Sequence, residues 1–194
     1  MTLFSPQRLC AAMLVLLMLL VSVAAARADL SLFGAYFGNV ARAAAHNDAA
    51  AVRQLVGSGE SPNAIDDDGR TGLQIAATNG NLQIAAILIK AGANLDTKDR
   101  LGNAALHYAT DRNREEMVQL LLDVGATVDA ENKNGMTSLM IAAVRGNITI
   151  VQALLAKGAN ARKNDFTGRD ALGWAADSRR QTVIQALQRA QAKR

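Results

Sequence analysis

The chain is poor in the residue types that staple or interrupt a fold. Its 194 residues include one cysteine, two prolines and 4% aromatic residues. The lone cysteine, Cys10, stands near the start, so everything after it lacks a thiol, a disulfide and a sulfur metal site. Such a chain is compatible with an oxidising compartment. Two isolated histidines, His46 and His107, with no H-E-x-x-H, give no zinc site. A phosphate loop, a dinucleotide fingerprint and G-x-S-x-G are all missing, and no base–nucleophile pair follows from the spacing of the few serines. The sequence therefore predicts neither an enzyme nor a cofactor.

The first residues read as an export signal. Arg8 precedes an apolar run from Leu9 to Val23, broken only by Ser22, and Ala26-Arg27-Ala28 has the small-x-small form of a cleavage site. Residues 1–28 are thus expected to be removed, with Asp29 the first mature residue. The rival is an uncleaved anchor, since the run approaches the length of a membrane span. On both readings the rest of the chain lies across the membrane, periplasmic or secreted, and with cleavage no stable membrane association remains. Removing Arg8 and Arg27 leaves 19 basic residues against 17 acids, so the net charge falls from +4 to +2. No nucleic-acid partner is implied by so small an excess.

Glycine is where the chain is rich and regular. Gly69, Gly102, Gly135 and Gly168 stand 33 residues apart, and Gly59, Gly92, Gly125 and Gly158 keep the same step. A fixed period of this length marks a repeat array. After each glycine of the first row comes a leucine (Leu73, Leu106, Leu139, Leu172) and an alanine-rich helix: Ile75-Ala76-Ala77, Tyr108-Ala109, Ile141-Ala142-Ala143 and Trp174-Ala175-Ala176. A turn residue follows, Gly80, Asn113 or Gly146, because Gly and Asn tolerate the left-handed conformation of a tight turn. Second helices run through Ile84–Ile89, Met117–Leu122 and Ile150–Leu155, and a Gly-Ala pair closes each.

This pattern resembles the ankyrin repeat over residues 36–194. The resemblance implies an all-α repeat solenoid of five helix–turn–helix repeats: 36–68, 69–101, 102–134, 135–167 and 168–194. Residues 29–35, with Leu30, Leu32 and Phe33, form a lead expected to cover the exposed apolar end. The proline that usually opens the first helix is absent; Gly72, Ala105, Ser138 and Ala171 replace it, which predicts slightly weaker helix starts. The end repeats, and the residues after Gln188 in particular, are expected to fray first, because each has one neighbour only.

Function then rests on a surface. The resemblance implies that turn tips and first-helix ends bind a protein partner, and carried over position by position it gives Arg70, Arg100, Leu101, Asn103, Arg112, Lys133, Met136, Arg145, Phe166 and Arg169. Leu101, Met136 and Phe166 are large apolar residues expected on solvated tips among arginines, the composition of an interface core. His107 is expected to hydrogen-bond loop backbone, and Asp66-Asp67-Asp68 to be turn residues rather than a calcium loop. Likeness to exported bacterial ankyrin proteins implies a helper or scaffold for another envelope protein, peroxide-defence enzymes being one association. The alternative is a secreted effector or toxin-neutralising binder that acts on a foreign protein.

Overall fold

Ten helices follow one another through residues 39–192, the part of the chain that the computed structural model describes. The expected signal, the 29–35 lead and the start of the first repeat lie outside the described residues. The helices pair as α1 (Val40–Ala45) with α2 (Ala49–Gly57), α3 (Gly72–Asn79) with α4 (Leu82–Lys90), α5 (Ala105–Asp111) with α6 (Glu115–Asp123), α7 (Ser138–Arg145) with α8 (Ile148–Ala156), and α9 (Ala171–Asp177) with α10 (Gln181–Ala192). No strand occurs among the described residues; one antiparallel bridge joins Ile65 to Thr71. First helices stack on first helices and second helices on second helices, giving the two-layer repeat solenoid that the spacing predicts.

From α3 onward each helix starts where the 33-residue step puts it, and at α3, α7 and α9 a side-chain cap offsets the missing proline. Thr71 and Thr137 accept the N–H of Gln74 and Met140, and Asp170 accepts that of Gly173 at 2.8 Å. Such a cap is worth about 1 kcal/mol. Second helices α2, α4 and α8 are capped by Asp48, Asn81 and Asn147. The turn inside each repeat needs a left-handed residue. Gly80 and Gly146 supply it, and so do Asn47 (φ 61°) and Asn113 (φ 53°). In the last repeat Arg179 takes the same conformation (φ 53°), which the sequence reading did not foresee, because neither glycine nor asparagine stands there.

The core is the space between repeats. Leu73, Leu106 and Leu139 fill the first-helix layer against buried alanines. Leu88, Leu121, Leu154 and Leu187 recur 33 residues apart in the second layer, all fully buried. Each such burial contributes about 2 kcal/mol. Between the helices and the turns the loops are also tied together. Asn63 accepts the N–H of Asn94 at 2.7 Å, Asp96 that of Thr127 at 3.0 Å, and Asp129 that of Asn160 at 3.0 Å, again at a 33-residue step.

The array ends differently from how it continues. Val183 and Leu187 of α10 are buried, Ile184 and Ala190 half-buried, and Gln181, Gln185, Gln188 and Arg189 exposed, as a terminal repeat requires. Gln191 replaces the glycine of the second row, and α10 runs on through it. The Gln191 side-chain amide donates to the Ala161 carbonyl at 3.0 Å and to Asp170 at 2.9 Å, while the Gln191 backbone carbonyl accepts from Arg162 at 2.6 Å. The segment after Gln188 is therefore tied back to the fourth and fifth repeats.

Candidate functional site

The turn tips are organised by one position per repeat: Asp66, Asp99, Asn132 and Asp165. In each, one side-chain oxygen accepts two backbone N–H groups of its own turn, at 2.8–3.1 Å. The second carboxylate oxygen is engaged as well. Asp66 holds the Arg70 guanidinium at 3.0 Å, Asp99 the Tyr108 hydroxyl, and Asp165 the Trp174 indole N–H at 3.0 Å. Burial raises the pKa of Asp66 and Asp165, but these donors outweigh it and hold both carboxyls below the usual range. Tyr108 moves the other way: burial and the Asp99 charge raise its phenol. The Asp66–Asp68 cluster is thus a turn brace, and no group of three metal-capable side chains suited to an ion occurs among the described residues.

Neighbouring tips touch. The Lys133 N–H donates to the Leu101 carbonyl at 3.0 Å and the Phe166 N–H to the Asn134 carbonyl at 3.2 Å. The Phe166 ring lies so close over Gly135 that a Cβ there would sit 2.6 Å from it. Behind the tips, His107 joins helix to loop. Its Nδ1 accepts the Ala104 N–H at 3.1 Å, so Nε2 carries the proton and faces the Ala130 and Met136 carbonyls at 3.1 and 3.3 Å. Burial, only partly opposed by these carbonyls, lowers its pKa. The histidine has the backbone role expected of it.

Six of the ten predicted residues come together. A concavity of about 390 Å³ opens between α5 and α7 with Leu101, Asn103, Met136 and Arg145 in its wall. A second, about 290 Å³, adjoins it and brings in Arg70 and Arg100. Leu101 and Tyr108 belong to both. Leu101 is 63% and Phe166 73% exposed, as expected of tips. Met136 is different. It is half-buried, and its carbonyl lies against the His107 ring, so it forms wall rather than tip. Asn103 is also partly structural: it accepts from Asn132 at 3.0 Å, and its carbonyl takes the Gln74 amide at 2.7 Å.

The other four stand along the same side of the array without entering either concavity. Arg112 and Lys133 are exposed. Phe166 lies over Gly135 one repeat further on. Arg169 pairs with Asp177 at 2.6 Å and covers the Trp174 ring at 4.9 Å. Tyr108 and Ile141 line the hollow without having been expected there, and Trp174 stands beside Arg169 one repeat further on; all three are half-buried. Tyr108, Ile141 and Trp174 share the register of Ile75, which is buried. The hint available in sequence was chemical: two of the three carry a polar tip, which a sealed core disfavours. A larger concavity, about 660 Å³, lies elsewhere, between α8 and α10.

The family model for ankyrin repeats matches residues 40–132 and 124–193, and the chain belongs to the ankyrin repeat family. Comparison with the curated proteins returns no match. Membership makes the chain a protein–protein interaction module. None of the described helices is long and apolar enough to cross a membrane.

Proposed function

We propose that this chain is an exported, non-catalytic binding module that serves as helper or scaffold to another envelope protein. One observation carries the binding half of this reading: exposed or half-buried apolar side chains and arginines converge on the turn-and-first-helix face from the Leu101 tip onward. Leu101, Tyr108, Ile141 and Val144 line a shared hollow there, with Arg145 at its edge. Large apolar groups left in water beside arginine are the chemistry of a protein interface. Support for export is the charged, apolar and small-residue sequence of positions 8–28.

A tagged full-length chain expressed in its own cells tests both halves. Mass spectrometry of the purified protein reads its first residue; a chain beginning at Asp29 supports export with signal removal, and an intact Met1 on protein recovered only from the cytosolic fraction contradicts export. Proteins recovered with it are compared with those held by a folded Leu101→Asp/Phe166→Asp variant. A partner from the envelope that the variant loses supports the reading. One that both retain places binding on another face.

A further inference from the structure

We propose that the face running from the Arg100–Leu101 tip to the fifth repeat takes an acidic segment of a partner protein that inserts one large aliphatic or aromatic side chain between α5 and α7. The inference rests on the reading of this face as the binding surface, and charge fixes the partner's chemistry. The acids of this face are already engaged. Asp111 is held by Arg145 at 2.5 Å, Asp177 by Arg169 at 2.6 Å, and Asp99 by its own turn and Tyr108. Arg100 and Lys133 form no ion pair among the described residues, and both are exposed. Arg112 reaches only Asp111, at 3.8 Å, a carboxylate already closer to Arg145. The charge left over on this stretch is positive, and its natural complement is carboxylate.

The sign changes along the array. The first tip carries Asp66, Asp67 and Asp68 against Arg70, with Arg42 of α1 beside it. An acidic segment is repelled there and drawn toward the later repeats. The apolar hollow of about 390 Å³, walled by Leu101, Ile141 and Val144, supplies the anchor site between these charges. A phosphate polymer fits less well, because it has no apolar side chain for that hollow and would meet Asp111 at its wall.

Selection of a random dodecapeptide library displayed on phage against the purified protein tests this. The expected result is enrichment of peptides with Asp or Glu around a Leu, Phe or Trp. A fluorescein-labelled copy of the most enriched peptide then binds about tenfold more weakly to Arg100→Glu/Lys133→Glu, and less than about twofold more weakly to Arg53→Glu/Lys90→Glu on the second-helix layer. Its affinity falls further as salt rises. Circular dichroism melts confirm that both variants fold. Enriched peptides that are basic or uncharged, yet lose binding in Leu101→Asp, overturn the acidic partner and leave the face as the binding surface. Enriched peptides insensitive to every one of these substitutions overturn both. A library with no enriched peptide overturns the proposal that one segment suffices, and the envelope capture then judges the face itself.

Discussion

Gln74 and His107 do the same work one repeat apart. The Gln74 Oε1 accepts the Thr71 N–H at 2.7 Å, and its Nε2 donates to the Thr97 and Asn103 carbonyls at 2.8 and 2.7 Å. His107 makes the equivalent contacts to Ala104, Ala130 and Met136 with the two nitrogens of one ring. The geometry asks for an acceptor facing back and a donor facing forward; amide and neutral imidazole both satisfy it.

Only the imidazole titrates near neutrality. Burial lowers the folded-state pKa of His107 below the ordinary value of 6.5. The unfolded chain therefore takes up the proton first, and stability present above about pH 6.5 is lost as pH falls toward the lower folded value. His107→Gln is expected to keep stability at pH 7.5 within about 1 kcal/mol and to flatten its decline as pH falls below about 6.5. Urea melts at several pH values check this; an unchanged slope overturns it.

Met140 breaks the series. It stands 33 residues after His107, and its sulfur lies 3.5 Å from the Thr137 N–H with no proton to offer the next loop. By register the carbonyls without this link belong to Lys163 and Arg169, and Arg169 keeps only the Asp165 N–H at 2.9 Å. Met140→Gln should restore the link and stabilise the array by about 1 kcal/mol, a rise in melting temperature of roughly 2–4 °C. Calorimetry decides it, and a fall in Tm would show that the amide does not reach.

Among the described residues two hydroxyls are buried without a partner, Thr110 Oγ1 and Ser138 Oγ. They occupy the register of Ala44 and Gly72, where a Cβ on the glycine would lie 3.5 Å from the alanine methyl. Burying an unpaired hydroxyl costs about 1–3 kcal/mol, and an apolar group of similar shape avoids that cost. Thr110→Val and Ser138→Ala are each expected to stabilise by about 1 kcal/mol. Denaturant midpoints that fall for both would mean that the hydroxyls are satisfied in solution.

Gly135 and Gly168 separate strain from crowding. Both have a positive φ, 75° and 81°. A Cβ on Gly135 would strike Phe166, whereas one on Gly168 would meet nothing within 4 Å. Gly168→Ala should cost about 1 kcal/mol from the left-handed backbone alone. Gly135→Ala should cost about 2 kcal/mol more, from the clash. Equal losses in equilibrium melts would show that the tip gives way freely.

Helix starts and the buried leucines were legible because a 33-residue step repeats the same physical demand: a turn glycine, then small residues where helices meet. Legibility failed where one position serves two ends. Ile75, Ile141 and Trp174 share a register, yet Ile75 is buried and the other two are half-buried, a difference set by which repeat lies alongside. Met136 looked like a tip residue because it follows Gly135, but the His107 ring behind it makes it wall. Arg179 was missed for the opposite reason. Its left-handed backbone is imposed by the turn, and the side chain gives no sign of it.

The replacement of glycine by Gln191 changes how the last second helix is fastened. Earlier in the array the ties between neighbours run from loop to loop, as at Asn63–Asn94, Asp96–Thr127 and Asp129–Asn160. Here a side chain on a helix takes over, reaching the Ala161 carbonyl and Asp170 together. A single amide thus works as a latch, holding the last turn of α10 to two places at once.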